Sequence, residues 1–280
     1  MTRSPAPPHH AAATGAGPLE ALRALVAPLR PLPALTPAAY AEGHDLFEAR
    51  SDQRDLLVAW LRARLAARAG APLRVLSVGC GDGTVDARVS AGADVARYDG
   101  VEPFAGSAAQ WRTRMAGVPG QVQQCRFEDA VLTGPYDVVL AVHCLYYVPD
   151  VAAALQRMHG LLAPGGELLV LHAPRAELNA LVEVLAPETG GHAQWFSDVV
   201  TGALRRSGLA YEESRLHARL DLTDADDRVL DFTVQAVLPP QVRAPVLAHL
   251  AAVRLPDAEG LCVPHPLDAF VVRGTSAAAG

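Results

Sequence analysis

The chain has 280 residues, half of them hydrophobic and 19% charged, with a formal net charge of −6. That is the balance of a globular protein long enough to bury a large core as one domain or two. It offers no basic stripe for nucleic acid, and no apolar run of the roughly 18 residues that a membrane-spanning helix needs.

The opening "MTRSPAPPHHAAATGAGP" lacks the charged-then-apolar order of a signal peptide, and it has little to bury. Residues 1–17 are expected to be a disordered tail in which His9 and His10 are solvated. From Tyr40 to Ala69 apolar residues recur at helical spacing (Leu46, Phe47, Leu56, Leu57, Trp60, Leu61, Leu65), and Gly70 and Pro72 stop the pattern. Strand and helix signals then alternate. The strands are "LRVLSVG" (73–79), "ARYDGVE" (96–102), "GQVQQCRF" (120–127), "YDVVLAV" (136–142) and "GELLVLHA" (166–173). The clearest helix, "VAAALQRMHGLLAPGG", is expected to end at Pro164-Gly165-Gly166. Such alternation predicts an α/β fold, a parallel sheet with helices on both faces.

After residue 174 two helical stretches (177–186 and 196–207) lead to "LAYEESRLHARLDL", read as one strand. Two helices separated by Pro239-Pro240 follow, and "PLDAFVVR" reads as a final strand. A lone strand after a helical insertion predicts antiparallel pairing at a sheet edge. The expected organisation is one domain over 18–280: a helical lid (18–70), a cofactor-binding core (71–174) and substrate-side elements (175–273).

The chemistry gathers around "VLSVGCGDGTVD" (75–86). Gly79, Gly81 and Gly83 follow a strand and precede a helix, so the backbone can turn sharply and offer amide N–H groups to a ligand. The next strand ends in "VEP", which places Glu102 where a carboxylate can accept hydrogen bonds from both hydroxyls of a ribose. These features suit an adenosine-containing cofactor. NAD fits less well, because the sixth position of its G-x-G-x-x-G fingerprint is Thr84 here. Glu128 and Asp129 in "RFEDA" could accept adenine amino protons, or be solvated. "AVHCLYYVPD" (141–150) sets an imidazole, a thiol and two phenols at a strand end. His143 is the side chain best placed to hydrogen-bond an acceptor or take its proton; its plain alternative is a packed histidine. Cys144 reads as a small buried hydrophobe. Of Tyr146 and Tyr147, one is expected in the pocket and one in the core. Cys80, Cys125, Cys144 and Cys262 are scattered without a C-x-x-C pair, which fits free thiols in a reducing, cytoplasmic setting and no metal site.

Together "VLSVGCGDG", "VEP", "FED", "LYYV" and "LLAPGGELLV" make the chain resemble a class I S-adenosylmethionine-dependent methyltransferase, with a Rossmann-like seven-stranded sheet whose last strand is antiparallel. It is most similar to the histamine N-methyltransferase family. That family's Y-x-E-x-x-x-x-F segment is matched by Tyr40, Glu42 and Phe47, its G-x-x-D by Gly83 and Asp86, and its LYYV-x-D by Leu145 to Asp150. The resemblance spans roughly residues 40–273. It implies S-adenosyl-L-methionine as cofactor, held by Gly79, Cys80, Gly81, Gly83, Glu102, Pro103, Glu128, Asp129 and Val142. It implies a small-molecule acceptor met by Tyr40, Phe47, Gln53, His143, Tyr146, Tyr147 and Trp195, with Phe196 a further aromatic candidate. A monomer or weak homodimer is expected.

The histamine half of the pattern does not carry over. The family's amine-recognising glutamate falls at Gln53 and a pocket glutamine at His143. Two tryptophans fall near Leu178 and Val182, and an asparagine near Pro266. The expected reaction is therefore methyl transfer to a different acceptor, at an amine or imidazole nitrogen. Alternatives are an oxygen- or carbon-methylating enzyme of natural-product metabolism and a catalytically silent binding protein of the same fold.

Overall fold

The computed structural model describes residues 18–275 apart from 69, 177, 186–187, 190–191 and 194, and the backbone alone at 188–189 and 192–193. The predicted tail, with His9 and His10, lies outside the described residues. Three helices open the fold: α1 (Pro18–Val26), α2 (Pro37–Glu48) and α3 (Gln53–Ala66). The alternating part follows with β1 (Leu73–Val78), α4 (Thr84–Ser90), β2 (Val95–Val101), α5 (Ala105–Arg114), β3 (Val122–Gln123), β4 (Tyr136–Val142), α6 (Val151–Gly160) and β5 (Leu162–His172). Next come α7 (Leu178–Leu185), the short β6 (Glu188–Thr189) and β7 (His192–Ala193), α8 (Ser197–Arg206) and β8 (Tyr211–Leu216). The chain closes with β9 (Arg219–Asp221), α9 (Asp227–Val234), α10 (Pro240–Ala252), β10 (Cys262–Pro264) and β11 (Leu267–Arg273).

The main sheet runs β3-β2-β1-β4-β5-β11-β8, and every pair is parallel except those made by β11, which is antiparallel to both β5 and β8. The predicted antiparallel last strand is present, but it is not at the edge. Residues Leu267 to Val272 of β11 are all buried, whereas Tyr211 to Leu216 of β8 are not. The apolar strand therefore takes the interior and the charged one takes the solvent-facing edge. Other boundaries also differ from expectation. The strand read over 120–127 is only Val122–Gln123, and Phe127 starts a 3₁₀ turn. Helix α6 stops at Gly160, and β5 starts ahead of Pro164-Gly165 because Leu162 already pairs with Tyr136. "LAYEESRLHARLDL" divides into β8, which pairs with β11, and β9, which pairs with β10. The helical run over 40–69 breaks at Arg50–Asp52. There Asp221 donates its N–H to the Arg50 carbonyl, Asp52 donates to the Arg219 carbonyl, and Ser51 bridges Leu220.

Strand order reverses between β1 and β4, the position at which open α/β sheets bind ligands beyond their strand ends. The glycine loop follows β1 and His143 follows β4, so both reach that crevice. Two apolar cores cover the sheet faces. A third lies away from the sheet and joins chain segments remote in sequence: Leu22, Val26 and Phe47 with Leu181, Val229, Phe232, Val246 and Leu250. Around Phe232 stand the rings of Tyr40 (5.1 Å between centroids), His44 (5.5 Å) and Phe47 (5.1 Å). Helix α2 can come this close because it carries Gly43 at the crossing, where a Cβ would lie 2.8 Å from the Phe232 Cβ and 3.0 Å from the Arg228 carbonyl. Neither neighbour is a flexible tip. Gly43→Ala should therefore push α2 off α9 and lower stability by about 1–3 kcal/mol, readable as a fall in Tm of several degrees by calorimetry.

Candidate active site

The glycine loop is built from below. The Asp86 carboxylate, 2% exposed, accepts from Ser77 Oγ (3.0 Å), Tyr98 Oη (3.0 Å) and Trp111 Nε1 (2.7 Å), pinning the start of α4 to β1, β2 and α5. Burial pushes its carboxyl up to about 6, against the opposing pull of these donors. Gly79 adopts φ +62°, and a Cβ there would come 2.3 Å from the Cys144 Cβ. Glycine is thus required at Gly79 by conformation and by space together. Glu102, 5% exposed, accepts from Gly81 N–H (3.0 Å) on one oxygen and Phe104 N–H (2.9 Å) on the other. Each oxygen keeps acceptor capacity for a further donor. A Cβ on Gly81 would meet nothing within 4 Å, so the loop faces open space beside that carboxylate. The arrangement fits an adenosine-bearing ligand held through its ribose hydroxyls.

The other expected cofactor contacts sit along the same edge of the sheet. Cys80 donates its N–H to the Val101 carbonyl, Pro103 is exposed, and Val142 is the half-buried last residue of β4. Glu128 and Asp129 are exposed on a short 3₁₀ turn, Phe127–Asp129, which Arg157 of α6 holds by donating to the Phe127 and Ala130 carbonyls.

A cavity of ≈ 250 Å³ opens beside His143. Ligand pockets run roughly 300–1,000 Å³, so this one suits a small ligand. Its walls include Tyr40, Phe47, Gln53, His143, Tyr146 and Tyr147, which the structure brings together around one cavity. Trp195 is not brought in: its indole donates to the Val148 carbonyl (3.0 Å) and packs on the sheet core, while Phe196 lines the cavity in its place. Both tyrosines of "LYYV" reach the wall. Leu145–Tyr147 form a 3₁₀ turn after β4, and Leu145 is the fully buried member. Cys144 lies against the glycine loop, and burial pushes its thiol up to about 12.

His143 takes a left-handed backbone, φ +50°, as the chain leaves β4. Its Nε2 lies 2.9 Å from Gln53 Oε1 and its Nδ1 3.1 Å from Tyr146 Oη. Gln53 in turn donates from Nε2 to the His265 carbonyl (2.8 Å), and Tyr146 Oη accepts from Ala173 N–H (3.2 Å). The Tyr146 ring is stacked on that of His172, 4.1 Å away. Burial, then the positive charge of Arg54, holds the His143 imidazole down to about 4, and burial holds His172 and His265 each down to about 3. All of them are neutral at physiological pH. Glu48 is the one carboxylate among the described lining residues, and Arg54 Nε meets it at 3.0 Å.

Sequence reasoning missed His265, Phe232, His44, Glu48, Asn179 and Gln235 on this wall. His265 had a usable signal, because the family's asparagine falls one residue away at Pro266. Leu178 and Val182, where the family's tryptophans fall, also line the cavity. The positions at which the chain leaves the histamine pattern thus converge on one cavity. No group of His, Cys, Asp or Glu suited to a metal ion occurs among the described residues, and no helix there is long and apolar enough to cross a membrane.

This strand order, with antiparallel β11 and a glycine loop at the switch point, defines the class I methyltransferase fold. The family model described as "Methyltransferase domain" matches residues 50–214, more than half of the chain, and the chain belongs to that family. S-adenosyl-L-methionine is the cofactor expected of such a domain. The ubiquinone biosynthesis O-methyltransferase of Pseudomonas aeruginosa is 32% identical over 145 residues, covering 49% of this chain and 60% of the relative. The chain thus spans less than two thirds of that relative's length. A highly reducing polyketide synthase of Strobilurus tenacellus is 30% identical over 94 residues, 34% of this chain and 3% of the synthase. Among solved structures, the YcgJ protein of Bacillus subtilis superposes with a TM-score of 0.58 at 14% identity, covering 79% of this chain and 98% of its own. The plantazolicin methyltransferase BamL does so at 0.53 and 10%, covering 84% and 91%. These curated relatives include O-methyltransferases, and they do not show membership of the histamine N-methyltransferase family in particular.

Two outcomes follow from this geometry. Asp86→Ala removes the acceptor of three buried donors and should cost about 3 kcal/mol or more, measured by urea unfolding, with Asp86→Asn losing less. The three imidazoles, with folded pKa values of about 4, 3 and 3 against 6.5 unfolded, bind protons on unfolding. Each then adds stability above pH 6.5 that is lost as pH falls toward 4, with a slope of up to about 1.4 kcal/mol per pH unit per group. Asp86, raised to about 6, opposes this as a single group over the same window. A Tm series should therefore fall from pH 6.5 to 4; a flat series would contradict the neutral-imidazole assignment.

Proposed function

We propose that this chain is an S-adenosylmethionine-dependent methyltransferase that acts on a hydroxyl of a small, uncharged aromatic acceptor. One observation carries the choice of acceptor. Gln53, where the histamine resemblance has an amine-binding glutamate, is 6% exposed and hydrogen-bonded at both ends of its amide. Its surroundings are neutral imidazoles and a phenol, and Glu48, the single carboxylate among the described lining residues, is already answered by Arg54. An ammonium group placed there would be desolvated without a free counter-charge, at a cost of several kcal/mol. A neutral aromatic ring would instead meet Tyr40, Phe47, Phe196 and Phe232. The O-methylating relatives support the same reading.

The glycine loop and Glu102 would hold the cofactor, with the exposed Phe104 ring and the Glu128–Asp129 turn beside the crevice. When bound, the cofactor supplies an electrophilic methyl group on a sulfonium. The chain's own contribution is to orient the acceptor against it in a site shielded from water. The helices at residues 18–66 and 227–252 act as the lid of one domain, closing over the acceptor through the Phe232 ring cluster. A second reading, methylation of an imidazole or aryl-amine nitrogen, draws on Tyr40, Phe47, Tyr146 and Tyr147, which match the histamine N-methyltransferase pattern and all line the cavity. A neutral ring nitrogen needs no carboxylate either.

Incubation with methyl-labelled cofactor and a panel of phenols, imidazoles and aliphatic amines, read by product mass, tests this. Phenols should be methylated and aliphatic amines not; preference for an aliphatic amine would overturn the proposal. Calorimetry should show cofactor binding that weakens 10- to 100-fold in Glu102→Ala, the loss of about 1.4–2.7 kcal/mol expected for charge-assisted bonds to hydroxyls.

A further inference from the structure

We infer that Tyr146 is the group that takes the acceptor's proton, and that it passes its own proton to His143, so that His143 acts through Tyr146 and never touches the acceptor. This rests on the hydroxyl-methylating reading above and adds the route by which the proton leaves.

The hydrogen bonds around His143 can run in one direction only, because both ends of the chain are backbone groups whose roles are fixed. The His265 carbonyl can only accept, so the NH₂ end of the Gln53 amide must face it (2.8 Å). That turns Gln53 Oε1 toward His143 Nε2 at 2.9 Å, and an amide oxygen also can only accept. His143 Nε2 must then carry the proton, which leaves Nδ1 bare in the neutral ring. Tyr146 Oη, 3.1 Å from Nδ1, therefore donates to it. At the far end Ala173 N–H can only donate, and it gives Tyr146 Oη one of its accepted bonds at 3.2 Å.

Both nitrogens of His143 are thereby used within the protein. Gln53 Oε1 and Tyr146 Oη each keep a lone pair, but an amide oxygen has no proton to hand on. Tyr146 Oη is the member that can take a proton and pass one to Nδ1, and Tyr146 lines the cavity. Its ring is held in place by stacking against His172, so the remaining lone pair has a fixed position. Burial keeps the Tyr146 phenol well above its ordinary range, which suits a relay and not a resting phenolate.

The step balances. The acceptor oxygen forms a bond to the methyl carbon as the methyl–sulfur bond breaks, its electron pair staying on the sulfur. The acceptor's hydroxyl proton moves to Tyr146 Oη while the Tyr146 proton moves to His143 Nδ1. His143 ends as an imidazolium donating to both Gln53 Oε1 and Tyr146 Oη, so the positive charge lost at sulfur reappears on the ring. A weakly basic imidazole suffices, because the acceptor's proton becomes strongly acidic only as its oxygen gains the methyl.

The test uses the full chain, with Tyr146→Phe, His143→Gln and the double variant, and phenols spanning a range of acidity. For phenols of pKa about 10, Tyr146→Phe should lose 100-fold or more in kcat, within the 10²–10⁴ range of positioned proton transfer. For a nitrophenol already ionised at the assay pH it should lose less than about 10-fold. His143→Gln should show the same split, and the double variant should be no worse than the poorer single one. Apart from turnover, ¹⁵N spectra of histidine-labelled wild type should show His143 as the Nε2–H tautomer, with its Nδ1 signal displaced in Tyr146→Phe. Cofactor affinity and Tm of Tyr146→Phe report whether the site still folds. Equal loss for ionised and un-ionised phenols, multiplicative losses in the double variant, or an Nδ1–H tautomer would each overturn the inference. Failure of the underlying reading looks different: wild type would bind cofactor yet methylate no phenol of any acidity.

Discussion

Cys144 stands where a side chain on Gly79 would have to be. That contact locks the turn after β1 against the turn after β4, and the rest of the site is laid out from it. On one side of the lock the glycine loop opens toward Glu102, with Asp86 and its three donors fixing it from beneath. On the other side, a single residue away, His143 bends into the left-handed region and sends its ring toward Gln53. The glycine loop and the cavity beside His143 thus meet across two adjacent residues, Cys144 and His143, a closeness that the proposed methyl transfer needs.

Much of this was legible in the sequence where local chemistry decides the outcome. The glycines, Glu102 and the strand-end position of His143 follow from short stretches in which residue type, turn and strand end coincide. The strands followed for the same reason, since apolar runs bounded by glycine and proline have few alternatives. What the sequence could not give was pairing. The interior place of β11 depends on β8 being polar enough to take the edge, and the break before α3 exists only because β9 draws in Arg50 to Asp52. Trp195 and Phe196 illustrate the limit: neighbouring aromatics are equivalent in a string of letters, and only in the folded chain does the Trp195 indole meet the Val148 carbonyl while Phe196 faces the cavity. His265, between two prolines, gave no periodic signal at all.

The chemistry of the cavity rests on the absence of uncompensated charge. Three imidazoles are buried deeply enough to stay neutral, and Gln53 replaces a carboxylate with a group that can orient a neighbour without attracting an ammonium. An amide bonded to a backbone carbonyl at one end and to an imidazole at the other cannot rotate freely, so it fixes a tautomer as well as a position. On the proposed reading, specificity and proton handling come from one set of bonds, in keeping with the clustering in space of positions that depart from the histamine pattern and are scattered along the chain.

The stitching of Arg50 to Asp52 onto β9 has a consequence for how the molecule comes into being. The cofactor crevice is made from a continuous stretch of chain and can form as soon as the first strands pair. The acceptor cavity needs Gln53 from the first quarter and His265 from the last, joined through contacts that span more than 200 residues. Closing loops of that length comes late in folding. On the proposed reading, a chain that binds cofactor while lacking this cavity is the incompletely folded state to expect, and acceptor binding is the stricter certificate of a finished fold.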